Sequence, residues 1–148
     1  MNAVHRLVSN GVVVEKVIFV RATMNEAPEI YANLIEDITE YDKIVVDLSF
    51  CDYIDSSFFG ALIMGYRRLK AAGGSLVVML SQSFHNKCFI YKDISSIFKV
   101  FNSLKEAIQA VNNPFKKDIT EEENNNIERT EPDKIVQTQL MTNPKPFV

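Results

Sequence analysis

Three short runs in this chain are apolar almost throughout and rich in β-branched residues: Val17-Ile18-Phe19-Val20, Ile44-Val45-Val46-Asp47-Leu48 and Leu76-Val77-Val78-Met79-Leu80. Runs apolar on both sides of the pleat suit strands covered on two faces. Upstream, Val4 to Val14 offers a further strand or hairpin. Its reversal falls either at Asn10-Gly11, a type I′ turn signal, or at Glu15-Lys16. Between the runs the period changes. Ala27, Ile30, Tyr31, Leu34, Ile35 and Ile38 fall on one helical stripe, with Asn25 read as its cap and Pro28 in its first turn. A second helix runs from about Ser57 to Ala72 and is ended by Gly73-Gly74. A short third is read over roughly Ser83 to Lys92. Ser103 and Glu106 form a capping box for a last helix carrying Leu104, Ala107, Ile108 and Val111. Strands alternating with helices predict an α/β sheet.

Composition limits where this domain ends. Four of the five prolines lie beyond Asn112, while all five glycines lie before it. Asp118 to Asp133 is acidic, asparagine-rich and without apolar period, so it buries too little to offset the entropy of ordering. Residues 1–111 are therefore read as the folded domain, and residues 112–148 as a largely disordered tail. With 148 residues, 47% apolar and a net charge of -3, nothing points to nucleic acid. The longest apolar stretch, Phe58 to Tyr66, is about half the ~20 residues of a membrane helix, and no secretory leader opens the chain. The expectation is a cytoplasmic protein without membrane insertion. Cys51 and Cys88 stand apart with no zinc-ligand spacing, and both are read as small buried residues. No metal or cofactor is expected.

The informative segment joins the most apolar strand to the most apolar helix, from Asp47 to Gly60. At its end Asp55, Ser56 and Ser57 stand at a helix mouth, where backbone N–H groups lack intrahelical partners and negative charge is favoured. The bland reading of these three residues is a helix cap. Phe59 is read as core, in a row with Ile63 and Tyr66; Phe58 sits in the first turn and, if exposed, is an aromatic anchor for a partner. Catalysis by Ser56 needs a base, and the only histidines are His5 and His85, with no Gly-x-Ser-x-Gly elbow. A phospho-aspartate receiver centred on Asp47 lacks the paired carboxylates after an early strand and the lysine after Leu80. Asp47 is instead read as bonding local backbone. Arg67, Arg68 and Lys70 suit the dipole at the end of their helix.

Asp47-Leu48-Ser49, then Ile54-Asp55-Ser56-Ser57 and Gly60, then Gly73-Gly74 before Leu76-Val77-Val78, resembles the central signature of STAS domains, anti-sigma factor antagonists among them. The likeness continues through Ile94 to Phe101 and Ser103 to Ile108, and covers roughly residues 4–111. It implies a mixed β-sheet of four to five strands with about four helices, mainly on one face. In the antagonists, the serine after the aspartate is phosphorylated by an anti-sigma factor that is also a serine kinase of the histidine-kinase-like ATPase type. The unphosphorylated form binds that kinase and frees the sigma factor. The resemblance thus implies a binding protein, not an enzyme, with Ser56 (alternatively Ser57) as phosphoacceptor. It also implies a docking surface at Thr23, Asn25, Asp55, Ser56, Ser57 and Phe58. Phe58-Phe59 stand where the family has glycine and an aliphatic residue; a ring at 58 leaves room for a partner only if it turns into the core. The alternative is a constitutive scaffold or transport-associated module docking through Phe58.

Overall fold

The computed structural model describes residues 4–84 and 90–113. Strand β1 (Val4–Ser9) turns back into β2 (Val12–Val17), and their antiparallel register pairs Ser9 with Val12. The two residues between them, Asn10 and Gly11, both have positive φ, 54° and 77°, which is the type I′ geometry their side chains favour. The reversal therefore sits at Asn10-Gly11, and Glu15-Lys16 lies inside a strand. The apolar run 17–20 is corrected as well. Only Val17 belongs to β2, and the chain then leaves the sheet for a short strand β3 (Arg21–Ala22).

Helix α1 (Ala27–Ile38) leads to β4 (Lys43–Asp47), followed by the two-residue strand β5 (Tyr53–Ile54) and helix α2 (Ser56–Ala71). Then come β6 (Ser75–Met79), α3 (Tyr91–Ile97), β7 (Val100–Phe101) and α4 (Leu104–Asn112). The main sheet has five strands in the order β1-β2-β4-β6-β7, and only the β1–β2 pair is antiparallel. Strands β3 and β5 form a separate parallel pair. Of the third helix expected at Ser83–Lys92, Phe84 is helical, and residues 85–89, with His85 and Cys88, lie outside the described residues; α3 is a separate helix that starts at Tyr91. The tail expected from residue 112 also lies outside them, except Asn112, which closes α4, and Asn113.

The central strands read as continuous apolar runs because helices cover both faces of the sheet. Ile44, Val46, Leu76 and Val78 join Ile30, Leu34, Phe58, Leu62, Leu69 and Ile94 in the larger core, so α1, α2 and α3 share one face. The alternate residues Val45, Val77 and Met79, with Val12 and Val14, meet Ala107 and Val111 of α4 on the other. Helices α1 and α2 pack closely enough that a Cβ on Gly65 would lie 2.6 Å from the Leu34 Cδ1.

The turn between α2 and β6 tolerates even less. A Cβ on Gly74 would lie 2.7 Å from the Asp42 carbonyl oxygen, a backbone atom that accepts the Ser75 N–H at 2.8 Å. Gly74→Ala should therefore lower the unfolding free energy by about 1–3 kcal/mol. Gly60→Ala, where a Cβ meets nothing within 4 Å inside α2, should raise it by roughly 0.5–1 kcal/mol. Urea denaturation of the two variants checks the opposite signs.

Candidate functional site

The segment from β4 to α2 is shaped by carboxylates that bond backbone. Asp47, buried at the end of β4, accepts the Ser49 N–H at 2.9 Å and the Ser49 hydroxyl at 2.6 Å through Oδ1. That is the local backbone bonding its position suggested. The chain turns as Cys51 N–H donates to the Leu48 carbonyl, and Asp52 N–H then reaches the Val20 carbonyl at 2.9 Å. This brings Tyr53–Ile54 alongside Arg21–Ala22, where the Arg21 guanidinium lies over the Tyr53 ring at 4.1 Å. Cys51 is buried beneath this loop. Burial first, then the negative charges of Asp47, Asp52 and Glu26, push its thiol up to about 12, so it is an unreactive core residue.

Asp55 is the N-cap of α2, in extended conformation, and its two oxygens serve two parts of the chain. Oδ1 accepts the Phe58 N–H at 2.8 Å, the ordinary capping bond. Oδ2 accepts the Met24 N–H at 3.0 Å, while the Asp55 N–H donates to the Ala22 carbonyl. The loop at 23–25 is itself folded by Glu26, whose Oε1 accepts both the N–H and the hydroxyl of Thr23 at 2.8 and 2.9 Å. The Thr23 carbonyl in turn accepts from the Glu26 and Ala27 N–H groups. Asn25 does not cap α1. Glu26 holds the N-cap position, and Asn25 is exposed, its N–H donating to the Thr23 hydroxyl oxygen at 3.2 Å.

Thr23, Asn25, Asp55, Ser56 and Ser57 thus meet on one surface, with both serines exposed. Phe58 does not belong to it. Its ring is fully buried in the larger core beside Leu62, which corrects the expectation of an aromatic anchor there. Because the ring turns inward, the approach to Ser56 stays open despite the missing glycine. Phe59, expected in the core, is only half-buried and meets Phe98 edge-on at 6.3 Å. Two residues join the surface unannounced. Met24 is 67% exposed in the loop that Asp55 holds, and Met64 is 54% exposed. Met64 follows Ser57 and Gly60 at helical spacing. Its absence from the apolar rows of α2 is the sequence signal that separates it from the core.

The site is thus an exposed, capped helix terminus beside a mixed sheet, with Met24 and Met64 both exposed, and among the described residues no group of three His, Cys, Asp or Glu is placed to hold a metal. The STAS domain model matches residues 8–107, and the chain belongs to that family, whose domains bind and regulate. No curated protein matches it. Among solved structures, an anti-sigma factor antagonist from Mycobacterium paratuberculosis is 20% identical, with a TM-score of 0.64 over 74% of this chain and 93% of its own. The phosphorylated form of the Bacillus cell fate determinant SpoIIAA is 20% identical, with a TM-score of 0.55 over 74% of this chain and 99% of its own. A sulfate transporter family protein from Wolinella succinogenes is 14% identical, with a TM-score of 0.60 over 72% and 88%. These likenesses are of fold. Among the described residues, no helix is long and apolar enough to cross a membrane.

Asp55→Ala removes the α2 cap and frees Met24 in one step, and should cost about 1–2 kcal/mol of stability. Ser56→Ala, at an exposed position, should stay within about 0.5 kcal/mol. Thermal unfolding of the pair checks that the aspartate, not the serine, is the folding signal.

Proposed function

We propose that this chain is a switch of the anti-sigma factor antagonist type, working in the cytoplasm with no reaction of its own. Its unphosphorylated surface at Thr23, Asn25, Asp55, Ser56 and Ser57, extended by Met24 and Met64, docks an anti-sigma factor that is also a serine kinase of the histidine-kinase-like ATPase type. Phosphorylation of Ser56 ends the docking, and the exchange of partners regulates transcription.

The observation that carries this reading is the exposure of Ser56 in the first turn of α2 while Phe58 turns into the core. A kinase needs the hydroxyl in solvent, and a docking surface needs the clearance that an outward ring would fill. Family membership supports a protein partner. A phosphate on Ser56 brings about -1.5 to -2 charges to a helix N-terminus, which the dipole favours, so the fold is spared. The partner is not, because its surface would have to bury those charges.

The exposed Met24 and Met64 favour a second reading, a constitutive scaffold or transport-associated module that docks through them without a switch. Ser56 substitutions separate the two. On the leading reading, Ser56→Asp weakens binding to the cognate kinase at least about tenfold, or ~1.4 kcal/mol, while stability changes by less than about 1 kcal/mol. Ser56→Ala binds but takes no phosphate. Calorimetric titration and mass spectrometry of the mixed proteins with ATP check both. Phosphate on another residue, or unchanged binding by Ser56→Asp, would end the switch reading, and binding that survives Ser56→Asp but is lost in Met24→Ala would favour the scaffold.

A further inference from the structure

A second set of charges lies away from Ser56, between the N-terminal hairpin and α1. Glu15 of β2 is fully buried, and so nearly is Asp37 of α1. One guanidinium serves both: Arg6 Nε lies 2.9 Å from Glu15 Oε2 and 3.0 Å from Asp37 Oδ1. The remaining Glu15 oxygen, Oε1, accepts the Asn33 side-chain N–H at 3.1 Å. Asp37 Oδ2, equally buried, accepts from nothing among the described residues.

An ionised carboxylate has acceptors only, so a buried oxygen without a donor carries its full desolvation cost. A protonated one becomes a donor, and Glu15 lies within hydrogen-bonding reach of Asp37. Among the described residues, the other groups facing the pair add no second cation. Glu36, on α1, is exposed and holds Arg6 Nη2 at 3.1 Å; Glu29, also on α1, receives the Val4 N–H. On the neighbouring strand, Val46 pairs with Glu15 and brings no charge, and Arg68 of α2 reaches Tyr31 instead. With both acids ionised, one guanidinium would face two buried negative charges. With one proton retained, the buried set is neutral.

We propose that Asp37 stays protonated at neutral pH, with Oδ2 donating to Glu15, and that this one proton makes the attachment of the β1–β2 hairpin to α1 sensitive to pH. Burial first, then the hydrogen bond and charge of Glu15, push the Asp37 carboxyl up to about 8. A carboxyl raised on folding contributes its stability in full below its unfolded value of 3.8 and loses it as pH rises through about 8. The chain therefore becomes less stable across neutrality from this group.

Two measurements on the full chain test this. In carbon-13 NMR, one carboxyl of the native protein should titrate near or above neutrality, and that transition should vanish in Asp37→Asn. In urea denaturation, Asp37→Asn keeps a neutral donor, so the ratio of native to variant unfolding constants should rise by up to about tenfold per pH unit between roughly pH 5 and 7. A ratio flat with pH would overturn the proposal. So would a native protein whose carboxyls are all ionised by pH 6, a result that stands even if the variant does not fold.

Discussion

The surface at the head of α2 depends on one carboxylate. Asp55 fastens the helix to its own first turn through Phe58 and to the preceding loop through Met24. These amides are remote in sequence, so the loop and the helix terminus form one unit held by hydrogen bonds to a charged acceptor, which are stronger than neutral ones. Its position is set in turn by the β3–β5 pair, anchored where the Val20 carbonyl accepts the Asp52 N–H. Ser56 is therefore presented by backbone that is already ordered. Any partner that docked there would have little to order on binding, which would keep the entropy cost low.

The sheet was legible where its physics is local. Ile44–Val46 and Leu76–Val78 alternate between two helix-covered faces, so every residue is apolar and the run announces itself. Asn10-Gly11 marked its turn because both positions take positive φ. β2 was hidden by Glu15 and Lys16, which interrupt the apolar pattern at its centre. Glu15 is tolerated there because Arg6 and Asn33 satisfy it, and only the folded chain brings those residues together. Asp37 was missed for the same reason. It lies on the buried side of α1 with Ile30 and Leu34, a place the periodicity reserves for apolar residues.

The site was half legible. Aspartate before two serines signals an N-cap, and the structure has one. The order of Phe58 and Phe59 was not readable, because both lie in apolar rows and the phase of α2 against the sheet decides between them. Phe58 points with Leu62 and Leu69 into the larger core, whereas Phe59 is only half-buried and packs edge-on against the buried Phe98. The start of α1 was misread at Asn25 because Thr23 and Glu26, three residues apart, already carry the signature of a capping box. Its acceptor is Glu26, and that bond, more than any side-chain cap, shapes the loop that presents Met24.

The charges around this surface bear on how a phosphate there would act. After burial, the charges of Asp47, Asp52 and Glu26 help to raise the Cys51 thiol, so the neighbourhood of the loop is already negative. Asp55 uses the Phe58 N–H, and among the described residues the Ser56 and Ser57 N–H groups have no partner. Those two amides and the helix dipole are what the fold can offer a phosphate. In solvent, where charges are screened, that suffices to leave the domain folded. Against a docked partner the screening is lost, and the same phosphate beside Asp55 becomes a concentrated negative charge that the partner must match with cations or leave. A modification at Ser56 is thus suited to altering association rather than structure, because the carboxylate that holds the structure is its neighbour and not its target.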